Sequence, residues 1–297
     1  MIHHYLLTRF NLALWRENKT GEAIDRKEWL VRRMQLFETY CLPSVQGQTC
    51  RDFCWVLLVD ENTPAEYRDR ILKYRAACQQ IKIVGVKAAY AVHFADIFRQ
   101  VVQADLQKNG CRADDLCLTT YLDNDDSISC HFVERVQTEC LAFHLLPQEK
   151  RFLSFDYGLQ LFTEMNHLAT RILYPNNHFL TLAECIPSAS LSPSEGELSG
   201  IRTCYGYGSH FLLEKQKLAT VHHVKDAMRP MWIEVIHEGN VDNDVKMTLD
   251  THFVKDKDLL RRDFSLQMEV GTIQRMTFVC RALAQGWRRL KNKFTDR

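Results

Sequence analysis

The chain has 297 residues, a formal net charge of +1, and 25% charged and 46% hydrophobic residues. That length accommodates one large α/β domain with an extension, and the near-neutral balance excludes a dedicated nucleic-acid binder, whose footprint is strongly basic. No apolar run nears the roughly 20 residues needed to cross a bilayer, and the opening Met1-Ile2-His3-His4-Tyr5 lacks the regions of a signal peptide, so a cytoplasmic location is expected.

The first 145 residues alternate short apolar runs with stretches of helical periodicity, the pattern of βαβ units around a parallel sheet. Tyr5 to Phe10 reads as a first strand. Leu30, Met34, Phe37 and Cys41 then recur at helical spacing until Pro43, which is expected to stop the helix. Phe53 to Val59 is a nearly uninterrupted β-prone run ending in Asp60, as for a strand buried on both faces. Thr63-Pro64 opens a helix marked by Tyr67, Ile71, Tyr74 and Cys78, and a strand follows over Ile81 to Val86. Phe94, Ile97, Phe98 and Val101 repeat the helical pattern before Leu116 to Leu122 returns to strand.

After about residue 150 the alternation weakens. Arg151 to Phe155 and His178 to Leu182 read as strands, and the Ser-, Pro- and Gly-rich stretch from Ser188 to Gly200 reads as a mobile loop or lid. Beyond residue 270, Met276, Cys280, Leu283, Trp287 and Leu290 line one face of a basic amphipathic helix, which fits either an anionic membrane surface or packing on the main domain. A boundary at residue 250 is expected, with a helical extension over 251–297. The eleven cysteines form no framework, and Cys50 and Cys54 have no second pair to complete a zinc site.

The chemistry concentrates in Leu122-Asp123-Asn124-Asp125-Asp126, at the C-terminal end of an expected central strand, where open α/β sheets bind ligands. Three carboxylates within four residues repel one another and invite a cation. Mg²⁺ or Mn²⁺ suits such oxygens and shares its coordination with substrate phosphates. The competing reading is an Asx-rich turn capping a helix that begins near Ser127. The tetrapeptide alone leaves both open.

Beyond that segment, Trp29-Leu30, Arg33, Leu36-Phe37-Glu38, Tyr40 to Val45, Gln48-Thr49, Trp55, Val59-Asp60 and Thr63-Pro64 form, with it, an ordered set that resembles the rhamnosyltransferase family of bacterial GT-A glycosyltransferases. The likeness continues through Phe179 to Glu184 and Met231 to Val241, and so covers roughly residues 3 to 245; Glu238 departs from it, standing where a glycine is expected.

The resemblance implies a GT-A fold, a mixed sheet flanked by helices, and transfer of a sugar, rhamnose by the family's name, from a nucleoside-diphosphate donor to a glycan or lipid-linked acceptor, with inversion. It implies that Asp123 and Asp125 bind Mn²⁺ or Mg²⁺ and the donor diphosphate, with Asn124 beside them and His237 as a further metal ligand. Asp60 is implied to reach the nucleoside, with capping of the next helix as the alternative. Thr8 and Arg9 end the first strand at the same edge and are candidates for the nucleotide pocket, Arg9 equally for an ion pair. Trp232 is a candidate for stacking on a sugar, or a core residue. The acceptor hydroxyl needs a base, and Glu184 and Asp156 are the candidates. Acceptors of cell-surface glycan assembly further imply peripheral contact with the inner face of the plasma membrane through the C-terminal helix.

Two other functions remain open at this stage. One is a metal-dependent nucleotidyltransferase or phosphohydrolase using the same acidic strand end, although no Gly-x-x-x-x-Gly-Lys phosphate loop is present. The other is a non-catalytic scaffold of glycan assembly.

Overall fold

The alternation of side chains along one buried strand organises the molecule. In the computed structural model, which describes residues 1–14, 23–146, 149–186, 200–237 and 252–271, Trp55, Leu57 and Val59 point into one core, and Val56 and Leu58 into a second on the opposite face. Such a strand must be covered on both sides, and helices do so.

In chain order the elements are β1 (Ile2–Arg9), α1 (Arg26–Leu36), a π-helical turn (Phe37–Cys41), α2 (Leu42–Gln46), β2 (Cys54–Asp60), α3 (Ala65–Ala77), β3 (Ile81–Val86), α4 (Phe94–Lys108), β4 (Leu116–Tyr121) and β5 (Ser127–Ile128). There follow α5 (Phe132–Leu141), β6 (Lys150–Phe155), β7 (Tyr157–Phe162), β8 (Leu168–Leu173), β9 (Thr181–Cys185), β10 (Thr220–Val224), β11 (Trp232–Ile236), β12 (His252–Phe253) and α6 (Leu259–Phe264). Seven strands form one sheet in the order β10-β6-β9-β4-β1-β2-β3. Only β9 runs against its neighbours in it, so the sheet is mixed and flanked by helices, as expected. A second sheet has the order β12-β8-β7-β11-β5.

Leu30, Met34, Phe37 and Cys41 pack on the first core, whereas Phe98, Val102 and Leu106 of α4 fill the second. Asp25 caps α1 by accepting the amides of Lys27 and Glu28, at 2.9 and 3.1 Å.

The structure corrects three expectations. Pro43 does not end the helix: the chain passes through the π-helical turn into α2, with Pro43 near its start. A proline ring collides with the carbonyl four residues earlier in a regular α-helix, and a wider turn just before it gives the ring room. Second, no helix begins near Ser127; the short strand β5 stands there and α5 starts at Phe132, which removes the capping account of the acidic segment. Third, His178 lies in a turn, and β9 begins three residues later.

Residues after 251 extend the second sheet. β12 pairs with β8, and Leu259, Leu260 and Phe264 of α6 join Leu159, Leu161 and Val235 in one cluster. The expected amphipathic helix beyond residue 271 and nearly all of the expected lid fall outside the described residues. No described helix is long and apolar enough to cross a membrane.

Candidate functional site at the sheet edge

Parallel strands aim their C-terminal ends at one edge, and the polar residues of interest gather there. Asp60 ends β2, Arg9 ends β1, the acidic segment follows β4, His178 precedes β9, and Asp156 follows β6. Neighbouring strands are about 4.8 Å apart, so Asp156 lies roughly 10 Å along the edge from the acidic segment.

The acidic segment is held from below. The Thr8 hydroxyl donates to the Leu122 carbonyl at 2.8 Å and accepts from Trp55 Nε1 at 2.9 Å. Thr8 is completely buried, so its place is as a brace under the segment, not as a wall of the nucleotide pocket. Asn124 likewise turns inward, its amide nitrogen donating to the Phe10 carbonyl and its oxygen accepting from Arg33 at 2.9 Å.

The three aspartates occupy different environments. Asp123 pairs with Arg9 at 3.1 Å and keeps 37% of its side chain exposed, against 7% for Asp125 and 1% for Asp126, so Asp123 is the carboxylate a ligand reaches first. Asp125 Oδ2 accepts from Arg33 at 2.7 Å and faces His237 Nε2 at 3.0 Å. Burial opposes its charge, but Arg33 and His237 hold its carboxyl well below the usual range. Asp126 receives the Val235 amide at 2.8 Å on one oxygen and faces His178 Nε2 at 2.9 Å on the other. Burial pushes its carboxyl up, against the pull of His178, and Asp125 and Asp123 push the same way.

Arg9 lies over the rings of Phe94 and Tyr205, at 4.9 and 5.4 Å. Desolvation disfavours its charge, yet Tyr205 and Asp123 keep the guanidinium's pKa above its ordinary value.

Asp123, Asp126 and His178 each offer one ligand atom, and these atoms all lie within 4.8 Å of one another. Two carboxylate oxygens and an imidazole nitrogen suit Mn²⁺, and a buried carboxylate crowded by two others is relieved by a cation. The expected partners Asp125 and His237 are also together, but Arg33 already supplies positive charge to the same oxygen. Sequence reasoning missed both His178 and the contact of Arg33. The only signal for His178 was its place between a Pro-Asn-Asn turn and a strand.

Asp60 borders a cavity of about 530 Å³ together with Asn11, Arg26, Trp29, Thr63 and Tyr67. Asp60 also accepts the Asn62 amide at 2.9 Å, a local turn contact rather than the helix cap considered from sequence. Arg26 covers the Trp29 ring at 4.5 Å.

Three expected residues are placed as follows. Trp232 is fully buried, donates to the Phe155 carbonyl at 2.7 Å and stacks on Phe179 at 5.1 Å; the bare face of Gly158 lies so near that a Cβ there would come within 2.1 Å of the indole. It is a core tryptophan with no face left for a sugar. Glu184 pairs across the sheet with Cys117, six residues before Asp123 and roughly 20 Å from it at strand rise. It accepts the amides of Arg202 and Thr203, both at 3.0 Å, and meets Lys150 at 3.2 Å, so it fastens a loop at the far end of β9 from the acidic segment. Asp156 is at the right edge. It is fully buried, takes Ser154 Oγ at 2.7 Å and His223 Nδ1 at 2.8 Å on Oδ1, and its Oδ2 has no partner among the described residues.

The family model described as "Putative rhamnosyl transferase" matches residues 5–249. The chain belongs to that family. No match is found among curated proteins. Solved structures that resemble it are S. aureus TarS, at 10% identity, TM-score 0.38, covering 80% of this chain and 37% of that one, and its 1–349 fragment in complex with UDP-GlcNAc, at 10% identity, TM-score 0.34, covering 81% and 60%. The chain thus spans 37% of the length of TarS and 60% of the fragment.

Proposed function

We propose that the chain is a GT-A-type glycosyltransferase that moves a sugar from a nucleoside diphosphate to an acceptor hydroxyl. One observation carries this reading: in a chain of this family, a cavity with an aromatic wall, at Trp29 and Tyr67, is joined to the compensated acidic segment by Arg33, which lies 5.3 Å from the Trp29 ring and 2.7 Å from Asp125. The cavity takes the nucleoside, with Asp60 on its ribose or base, and Arg9 and Asp123 meet the diphosphate. The donors Asp123, Asp126 and His178 would hold a divalent ion, which supplies charge neutralisation for the departing diphosphate. Asp125 and His237, with Arg33, form the adjoining wall.

In the chemical step the acceptor oxygen attacks the anomeric carbon as its proton passes to a carboxylate. The bond from that carbon to the diphosphate breaks, and the electron pair leaves with the diphosphate. Asp156 is the proposed base, because it sits at the reacting edge and Glu184 does not. Inversion follows from a single displacement, and rhamnose as the transferred sugar rests on the family's description alone. The acceptor is proposed to be a glycan or lipid-linked sugar, which would bring the protein to the inner face of the membrane.

The test is thermal stabilisation by UDP, GDP, dTDP and CMP species with and without Mn²⁺. Binding at 100 times the dissociation constant adds about 2.7 kcal/mol. The expected result is an upward shift with one nucleotide that depends on metal and disappears in Asp123→Ala. If no nucleotide shifts the melting temperature, the transferase reading is wrong.

A further inference from the structure

The segment joining β9 to β10 reaches the donor side through Tyr205, whose ring lies under Arg9, and its described part, 200–219, is firmly held. Glu184 grips its start through two backbone amides, the Cys204 amide donates to Thr119 Oγ1 at 2.9 Å, and the Tyr121 hydroxyl donates to the Cys204 carbonyl. Further on, His210 Nδ1 meets the Asn176 carbonyl oxygen at 2.6 Å, and the Asn176 side-chain nitrogen donates to Glu214 at 2.7 Å. Glu214 in turn faces His223, whose other nitrogen meets Asp156. The segment is tied at its start to the middle of the main sheet and later to the edge where Asp156 lies.

This fixed segment holds an aromatic ring in water. Phe211 is 55% exposed, with its centroid 3.9 Å from His210 and 6.0 Å from Tyr174. His210 lies 6.1 Å from His178, the residue against Asp126. A single exposed apolar side chain needs no explanation. Here the ring belongs to a row leading to the acidic segment, and polar groups stand beside it. Asn176 stands at a left-handed φ of +53°, which asparagine adopts more readily than other non-glycine residues, and its buried Oδ1 has no donor among the described residues.

We infer that Phe211, with Tyr174 and His210, forms the acceptor subsite and binds an uncharged hexopyranose by stacking on its apolar C–H face. An aromatic plane supplies that contact, and the half-exposed carboxylate of Glu214 accepts from sugar hydroxyls. Glu214 and Asp156 disfavour an acidic sugar. The order along the edge supports the assignment. The nucleoside cavity lies by β1 and β2, the acidic segment by β4, and the ring row by the turn before β9 and the base after β6. A sugar leaving the diphosphate away from the nucleoside therefore meets whatever sits on Phe211.

This assignment rests on the transferase reading, and its test separates the two. Saturation-transfer NMR with a panel of methyl hexopyranosides, including the rhamnoside, glucoside, galactoside and N-acetylglucosaminide, is expected to give signal for at least one. The signal should fall at least fivefold in Phe211→Ala, recover in Phe211→Tyr, and persist in Leu218→Ala, another exposed apolar site on the same segment. The nucleotide-induced melting shift should be equal in all four proteins. Absence of signal with every pyranoside, or equal signal in Phe211→Ala, overturns the subsite whatever the nucleotide result. Loss of the nucleotide shift in the unaltered protein overturns the transferase reading instead.

Discussion

Arg33 Nη1 sits 2.7 Å from Asp125 Oδ2, a pair with side chains only 15% and 7% exposed. Removing one partner of a buried pair leaves an uncompensated charge and costs about 3–5 kcal/mol. Arg33→Met should therefore lower the melting temperature clearly. Added Mn²⁺ should restore more stability to this variant than to the unaltered protein, because the ion supplies the missing charge. An equal response to Mn²⁺ in both would show that the ion does not feel Asp125.

The two histidines distinguish two ways of holding that ion. With Asp123, Asp126 and His178 as ligands, His178→Asn should weaken Mn²⁺ binding at least about tenfold by calorimetry. His237→Asn should change it less than threefold. The reverse order would move the site to Asp125 and His237.

Trp29 lines the cavity proposed for the nucleoside. Stacking of a base on an aromatic side chain contributes about 1–3 kcal/mol, so Trp29→Ala should weaken the preferred nucleoside diphosphate by about 5- to 150-fold, leaving Mn²⁺ affinity unchanged. Undiminished nucleotide affinity would place the base elsewhere.

His4 provides a pH signature independent of the site. It is fully buried with Nε2 2.9 Å from Thr120 Oγ1, and burial lowers its pKa from 6.5 to about 3. Between these values the unfolded chain binds the extra proton and the native one does not, so stability is complete above pH 6.5 and declines as pH falls toward 3. The slope is about 1.4 kcal/mol per pH unit from this group. A melting profile from pH 7 to 4 should be flatter in His4→Gln; parallel profiles would exclude the histidine as the cause.

Gly158 is a test of the core beneath the site. Its missing side chain makes room for the Trp232 indole, and overpacking a dense core costs about 1–3 kcal/mol or more. Gly158→Ala should destabilise, and shrinking the neighbour as well, in Gly158→Ala with Trp232→Phe, should recover part of the loss.

Local pattern carried much of this architecture in the sequence. The strands from β1 to β4 and the helices between them follow from runs such as Trp55 to Val59, whose burial on both faces leaves them little choice. Asp60 and Asp123 are legible at one edge because each stands at the end of a strand of like direction, whereas Asp156 joins them only through the two antiparallel pairings of β9, with β4 and β6. What escaped was contact at long separation. Arg33 meets Asp125 across 92 positions and His178 meets Asp126 across 52, and no periodicity encodes such meetings. Glu184 misled because a strand residue looks alike at either end of its strand. Only the antiparallel register of β9 against β4 shows that it points at the far end.

The π-helical turn at Phe37–Cys41 makes chain length, as well as residue identity, a sensitive property of this stretch. Its Tyr40 carbonyl accepts from Ser127 Oγ at 2.9 Å, and its Cys41 thiol donates to the Asp123 carbonyl at 3.6 Å. Deleting one residue there would restore ordinary helical winding and remove the wide turn that presents the Tyr40 carbonyl and the Cys41 thiol to the acidic segment. Both supports of the acidic segment would then face the wrong way, while Pro43 would lose its clearance. A one-residue gap between α1 and α2 thus dismantles the supports of the acidic segment without touching any of its residues, and relatives that keep this site should align there without insertions or deletions.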